Sequence, residues 1–298
     1  MIFKSQPAGE KRKKLKQNLE NSCLRFVGSF SSLVSRLIEQ KGFEGIYISG
    51  AVVSSLKAWP DIGLTDLTEL GLQAEELTKT SSLPSIADAD TGFGGYANVA
   101  RTVYELEKRG LSGMHIEDQD FPKRCGHLDQ KKLIPQEEMI LKIKSALKAR
   151  RDKNFLIIAR TDARAVEGLE KAVQRAESYM VAGADMIFPE ALQSIQEFEF
   201  FRSKIPIPLM ANMTEFGKTD IIKHETFKKL KYNMVIYPVS TWRLALKAVD
   251  QGLEGLAQDQ QESLLDKMQS RKELYKILQY EDYKKFDKEL YNFTFEKK

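Results

Sequence analysis

Along the chain, short and nearly continuous apolar runs alternate with longer stretches in which apolar residues return every three to four positions. The first rhythm predicts buried strands, the second amphipathic helices. The strand runs fall at 23–27, 45–49, 84–88, 113–117, 155–159, 185–188, 206–211 and 232–237. Helical spacing fills 32–40, 97–109, 135–150, 167–182, 194–203, 223–230 and 240–250. One more helix is predicted after an N-cap at Thr65, with Leu67, Leu70 and Leu77 on its apolar face. Pro135 suits the start of its helix, and the prolines of 206–211 sit where a strand tolerates them. Eight strands, each followed by helical pattern, predict an α/β fold of the (β/α)8 barrel type. A doubly wound open sheet is the runner-up. No Gly-x-Gly-x-x-Gly opens a helix after the first strand, which weakens its nucleotide-binding form. The expected organisation is one barrel domain over 1–298: an extra N-terminal helix, a barrel over about 22–250 and a helical extension over about 251–298. Leu264, Leu265, Met268, Leu274, Tyr275 and Leu278 give that extension an apolar stripe with no place in a closed barrel. A helix over 260–282, packed outside or exchanged with a neighbouring subunit, is expected.

The composition narrows the functional classes. With 298 residues, 42% hydrophobic and 30% charged, the chain reads as an ordinary globular protein. No apolar run approaches the roughly 20 residues needed to cross a bilayer, and the N-terminus has no signal-peptide pattern. Two cysteines, Cys23 and Cys125, give no disulfide framework, so a reducing cytoplasm is expected. A net charge of +4 is too small to argue for nucleic acid. The basic run Lys11-Arg-Lys-Lys-Leu-Lys16 reads better as a solvated helix face, with Leu15 and Leu19 as its apolar pair, because no aromatic residues interleave with it. Neither nucleic acid nor membrane is expected as a partner.

The candidate chemistry lies at the predicted strand ends. After the fourth strand, Lys123-Arg-Cys-Gly-His127 sets a thiol among cations, beside a glycine that permits a tight turn. Positive potential favours the thiolate and attracts an anionic substrate. A stray zinc site fits poorly, since no second cysteine lies nearby. Seven of the eight strand ends carry polar groups: Tyr47 and Ser49, Asp88 and Asp90, Glu117 and Asp118, Arg160 to Asp162, Glu190, Asn212 and Thr214, and Tyr237, Ser240 and Arg243. Barrel active sites form at this end. Asp88, Asp90, Glu117 and Glu190 would converge and repel one another unless a hard divalent cation, Mg²⁺ or Mn²⁺, sits among them. Pairing of each carboxylate with Arg124, Arg160 or Arg243 is the plainer alternative. The surplus of cations over what a metal site needs points to a small polycarboxylate substrate. No role falls to His115; His224 reads as exposed and Cys23 as core.

These residues resemble a known family. Lys123-Arg124-Cys125-Gly126-His127 is similar to the Lys-(Lys/Arg)-Cys-Gly-His signature of the isocitrate lyase and phosphoenolpyruvate mutase superfamily. The segments 88–95, 115–119, 159–163, 188–191 and 212–217 resemble its 2-methylisocitrate lyase branch over about residues 22–282. The resemblance implies cleavage of 2-methylisocitrate, a tricarboxylate, to pyruvate and succinate in propionate breakdown by the methylcitrate cycle. It implies Mg²⁺ on Asp88 and Asp90 with Glu117 near it, and a homotetramer with swapped C-terminal helices. It implies substrate contacts from Ser49, Gly50, Ala51, Cys125, Gly126, Arg160, Glu190, Asn212, Met213, Thr214, Arg243 and Arg271. Arg124, on the basic loop, is a further substrate-binding candidate. In the expected mechanism Cys125 gives a proton to the succinate carbanion, arginines and His127 stabilise its charge, and Tyr47 and Asp61 are the candidate bases. The loop 118–132 is expected to close over the substrate. A mutase or decarboxylase of the same superfamily, acting on oxaloacetate-like acids, is the alternative. The sequence departs from the family at Ala51, where a second glycine is usual, at 28–32 and at 57–59.

Overall fold

The computed structural model describes residues 6–128 and 130–291. The chain forms two compact units, a larger one of Pro7–Trp242 and a smaller one built mainly by the residues from Arg243 onward.

The larger unit runs α1 (Ala8–Asn21), β1 (Leu24–Gly28), α2 (Ser32–Gln40), β2 (Gly45–Ile48), α3 (Gly50–Ser55), α4 (Leu67–Lys79), β3 (Ser85–Asp88), α5 (Tyr96–Lys108), β4 (Gly113–Glu117), α6 (Gln136–Ala149), β5 (Leu156–Thr161), α7 (Ala163–Val166), α8 (Leu169–Val181), β6 (Met186–Pro189), α9 (Ile195–Lys204), β7 (Met210–Asn212), α10 (His224–Lys229), β8 (Met234–Tyr237) and the start of α11 (Ser240–Ala257). All eight strands pair in parallel in the order β6-β5-β4-β3-β2-β1-β8-β7. A single parallel bridge, Ile187 to Leu209, joins β6 to β7 and nearly closes the sheet into a barrel. The expected α/β barrel is therefore observed, and the open doubly wound sheet is not.

Strand periodicity sorts the side chains into two layers. Leu24, Phe26, Tyr47, Ile86, Leu156, Ile158, Met186, Phe188, Met210, Met234 and Ile236 fill the barrel interior. Their neighbours, among them Val27, Ile46, Ile48, Ala87, Met114, Ile116, Ile157, Ala159, Ile187, Ala211 and Val235, pack outward against the helices. The interior layer continues at the carboxyl ends as Asp88, Glu117, Arg160, Glu190 and Asn212, each two residues beyond an inward-facing position.

Several boundaries differ from expectation. The N-cap of α4 is Asp66, not Thr65: its carboxylate accepts from the Glu69 N–H at 2.9 Å, and Glu69 answers on the Asp66 N–H at 3.0 Å, a full capping box. The helix expected over 167–182 starts at Leu169, after Gly168 takes a left-handed φ of 92°, and the separate short helix α7 precedes it. Strand β7 is only Met210–Asn212, so Pro206 and Pro208 lie before it. The basic run of α1 is only partly solvated. Lys11 and Arg12 are buried, with Lys11 Nζ on the Thr78 and Ser81 carbonyls and Arg12 on those of Glu107 and Leu111. They pin α1 across the amino-terminal end of the barrel, where Leu15 and Leu19 join the interior layer. Cys23 is core, as expected. His224 is half-buried rather than exposed, its Nε2 2.8 Å from the Cys23 carbonyl.

In the smaller unit, α11 is followed by a 3-10 turn (Gln261–Lys267), α12 (Arg271–Leu278) and α13 (Tyr280–Tyr291). The continuous helix expected over 260–282 is thus broken, at Ser270, which caps α12, and at Gln279, which takes a left-handed conformation. No helix among the described residues is long and apolar enough to cross a membrane.

Candidate active site

The polar residues beyond the barrel interior form two linked clusters. In the first, Asp88 and Asp90 face one point: a methyl placed on Gly50 would lie 3.3 Å from Asp88 Oδ2 and 3.2 Å from Asp90 Oδ1. Asp90 adopts φ 47°, and its N–H donates to Asp88 Oδ1 at 3.1 Å. Lys123 Nζ stands 2.6 Å from Asp90 Oδ1 and also contacts Asp61. Burial pushes the Asp90 carboxyl up to about 7, against Lys123. Burial acts on Asp88 too, but His115, Lys123 and Arg160 outweigh it and hold that carboxyl below its usual range.

The second cluster surrounds the Cys125 loop. Arg160 grips Asp162 through Nε (3.0 Å) and Nη2 (3.2 Å), and its Nη1 lies 3.3 Å from Glu117 Oε2. Glu190 accepts from Asn212 Nδ2 at 3.2 and 3.3 Å and lies 2.9 Å from His127 Nε2. The Lys218 N–H donates to His127 Nδ1 at 3.0 Å, so Nδ1 is an acceptor and the ring proton sits on Nε2, directed at Glu190. Gly217 permits this contact, since a methyl there would lie 2.6 Å from Nδ1. Gly126 is under the same constraint: its methyl would lie 2.5 Å from Glu190 Oε1 and clash with Arg160. Cys125 is half-buried, and burial raises its thiol pKa, with the His127 backbone N–H opposing. The thiolate expected from the flanking cations is therefore not favoured, and the group rests as a thiol.

Other expected residues lie apart. Arg124 is exposed and bonds Gln130 Oε1 at 3.3 Å, so its guanidinium is not turned into the clusters. The Met213 side chain packs in the outer layer, where its sulfur accepts from the Ile222 N–H, while Thr214 donates its N–H to Asn212 Oδ1 at 3.0 Å. Tyr237 also belongs to the outer layer. Asp118 is held by Thr161, Tyr179 and the Asp162 N–H. Ser49 occupies the N-cap position of α3, without a side-chain capping bond, beside Gly50 and Ala51. Arg243 and Arg271 belong to the smaller unit. His115 is central rather than idle: Tyr47 Oη is 2.6 Å from its Nε2, and its Nδ1 is 3.7 Å from Asp88 Oδ1. Burial lowers the imidazole to about 4, so the ring is neutral. Nδ1 faces the Asp88 carboxylate, which favours the tautomer with its proton on Nδ1 and leaves Nε2 to accept from the Tyr47 hydroxyl.

A profile of the phosphoenolpyruvate phosphomutase family matches residues 13–257. The chain is 50% identical to a probable 2-methylisocitrate lyase 1 of Corynebacterium glutamicum, over 90% of this chain and 89% of that one. It is 49% identical to a 2-methylisocitrate lyase of Aeropyrum pernix, over 88% and 85%. The chain belongs to the phosphoenolpyruvate mutase/isocitrate lyase superfamily. Among solved structures, oxaloacetate acetylhydrolase superposes with a TM-score of 0.90 at 28% identity, covering 97% of this superfamily member and all of that chain. The lyase of 2,3-dimethylmalate superposes at 0.87 and 30%, covering 96% of each.

A phosphonopyruvate hydrolase of similar fold has been solved with oxalate and Mg²⁺ (TM-score 0.82, 29% identity). In this superfamily member no three His, Cys, Asp or Glu side chains among the described residues gather into a closed metal cage. The donor set nevertheless fits Mg²⁺, which is commonly held by one or two carboxylates while keeping waters or substrate oxygens. Asp88 and Asp90 converge, and both oxygens of Glu117 are buried without a hydrogen-bond partner. Burial holds the Glu117 carboxyl well above its usual range in spite of Arg160 and Lys123, and a bound dication would reverse that balance. The four carboxylates do not share one point: Glu190 stands with His127 and Asn212 in the second cluster.

Proposed function

We propose that this protein cleaves 2-methylisocitrate to pyruvate and succinate, with Mg²⁺ (or Mn²⁺) held by Asp88 and Asp90 and with Glu117 near it. The observation that carries the reading is a loop that holds Cys125 with its neighbour Gly126 seated against Arg160 and Glu190 and with His127 on Glu190, together with the paired acids Asp88 and Asp90. Burial favours the neutral form of the thiol. The 2-methylisocitrate lyases at 40–50% identity over most of both chains support the substrate. A bound Mg²⁺ supplies Lewis-acid polarisation of the substrate hydroxyl and its neighbouring carboxylate.

The residues of the chain do the rest. Tyr47 removes the hydroxyl proton, passing its own phenolic proton to His115 Nε2 across the 2.6 Å hydrogen bond. Burial and the surrounding carboxylates raise the Tyr47 pKa far above its ordinary value, so it rests as a phenol and needs that acceptor. Asp61, the other candidate base, is engaged by Lys123. The carbon–carbon bond breaks, its electrons pass to the succinate carbon, and Arg160 offsets the developing charge. The Cys125 S–H then protonates that carbon. Ser49, Gly50, Ala51, Gly126, Asn212, Thr214 and the Met213 backbone line the substrate, and Arg243 and Arg271 are the further candidates that the family resemblance implies for its carboxylates. The working form is a homotetramer, supported by the exposed apolar residues Leu265, Met268, Leu278, Phe286 and Leu290.

The test is pyruvate release from 2-methylisocitrate against glyoxylate release from isocitrate, with Mg²⁺ and then with EDTA. Preferential pyruvate release that EDTA abolishes is expected. No cleavage of either acid would move a mutase or decarboxylase activity on oxaloacetate-like acids ahead.

A further inference from the structure

Two buried side chains grip the backbone on either side of Cys125, and neither is among the groups assigned to substrate. On one side Gln119, 1% exposed, uses its amide as a neighbouring strand would. Its Oε1 accepts from the Arg124 N–H at 3.0 Å, and its Nε2 donates to the Arg124 carbonyl at 2.8 Å. On the other side Lys131, its side chain 1% exposed, donates from Nζ to the Gly126 carbonyl and, at 2.7 Å, to Asp162 Oδ1.

The stem of the loop is a short antiparallel pair: Gln119 bridges Leu133, the Asp120 N–H donates to the Lys132 carbonyl, and the Ile134 N–H to that of Asp118. Beyond the stem no such ladder continues among the described residues; the tip is held by the turn bond from the Leu128 N–H to the Cys125 carbonyl and by these side chains. An ammonium in this setting is costly to bury unless fully paired. Asp162 already takes two hydrogen bonds from Arg160, so charge balance alone does not require a lysine. What Lys131 adds is a rigid link from the end of β5 to the carbonyl next to the thiol-bearing residue.

We propose that Lys131 is a positioning residue for proton transfer by Cys125: it ties Gly126 to Asp162, and Gln119 completes the clamp on the Arg124 side. The proposal rests on the reading of Cys125 as proton donor, but the clamp is read out through thiol reactivity, which does not. Cys125 and Cys23 are alkylated with iodoacetamide at fixed pH in the full-length protein, and each rate is followed by peptide mass spectrometry.

In Lys131→Met, loss of a charge-assisted hydrogen bond should raise the Cys125 rate about 10- to 100-fold while Cys23 is unchanged. Lys131→Arg should return it to within about threefold of wild type, and kcat should follow the same order with KM little changed. A Cys125 rate within about twofold of wild type in Lys131→Met overturns the proposal. So does a parallel rise at Cys23, which marks general unfolding. If Lys131→Met does not fold, Gln119→Leu decides by the same thresholds. A wild type without lyase activity but with the expected labelling pattern would sink the proton-donor reading and leave the clamp standing.

Discussion

A methyl added at Gly126 should separate a shaped active site from a merely crowded one. It would stand 2.5 Å from Glu190 Oε1, where ordinary contact begins at 3.4 Å, a deficit of 0.9 Å (3.4 − 2.5). The neighbours cannot yield cheaply. Glu190 is fixed by His127 and Asn212, and Arg160 by Asp162, with side chains only 1% and 8% exposed. The loop must therefore move instead, by roughly the same 0.9 Å. Overpacking of this kind costs ~1–3 kcal/mol of stability. A displacement near 1 Å at a reacting group costs on the order of 10²-fold in turnover. In Gly126→Ala, kcat for 2-methylisocitrate cleavage should fall about 100-fold while the unfolding transition stays cooperative. Gly252→Ala, in helix α11 where a methyl meets nothing within 4 Å, is the control. A Gly126→Ala enzyme within about threefold of wild-type kcat would refute the argument that the loop seats directly on Arg160 and Glu190.

Cys125→Ser replaces the acid by a much weaker one, so kcat should drop by at least ~10² with substrate affinity largely kept; Cys23→Ser should lose stability alone, and equal losses in both would mark a structural effect. His115→Leu removes the acceptor of the Tyr47 proton, and a pre-steady-state trace with an undiminished cleavage step would exclude the relay. Burial lowers Lys11 from 10.5 to about 8 in the folded chain. The folded state thus binds fewer protons than the unfolded one between those values, and the penalty, about 3 kcal/mol, is present below pH 8 and relieved as pH rises to 10.5. Urea unfolding across pH 7.5–10.5 should show that rise in the wild type and not in Lys11→Met. Asp66→Ala removes the capping box of α4 and should cost about 1 kcal/mol, where Thr65→Ala costs less; the reverse order would restore Thr65 as the cap.

Much of the barrel was legible because both layers of a parallel strand are apolar and each run is bounded by helical spacing. Legibility failed where spacing is blind to chemistry. Asp66 and Thr65 are both acceptable caps, and only the reciprocal bond with Glu69 distinguishes them. Lys11 and Arg12 looked solvated because a charge run is usually so, yet main-chain carbonyls at the end of a barrel can receive cations. His115 was within reach of the sequence. It lies two residues before Glu117, and strand alternation places both on the inward face with Gly113. The same parity runs through Asp88, Arg160, Glu190 and Asn212, so the strand ends alone indicated most of the site. The partners of Lys131 were not indicated, because they join residues on different strands and loops.

The state of Cys125 shows why local sequence charge misleads. Lys123, Arg124 and His127 flank the thiol in sequence and argue for a thiolate. In space Lys123 is engaged by Asp61 and Asp90, Arg124 turns to Gln130, and His127 directs its proton to Glu190. Each flanking side chain has another partner, and at the sulfur burial, helped by Asp61 and Glu190, outweighs the His127 backbone N–H and Arg160 and favours the neutral form. A thiolate would serve a nucleophile. A neutral thiol beside Arg160 and Glu190 serves a group that must hold its proton until a carbanion forms within reach. The folded loop therefore supports protonation rather than covalent catalysis, and the decisive observation is a negative one for the nucleophile: mass spectrometry of the enzyme quenched during turnover should detect no thioether or thioester adduct on Cys125, and a stoichiometric adduct would overturn the assignment.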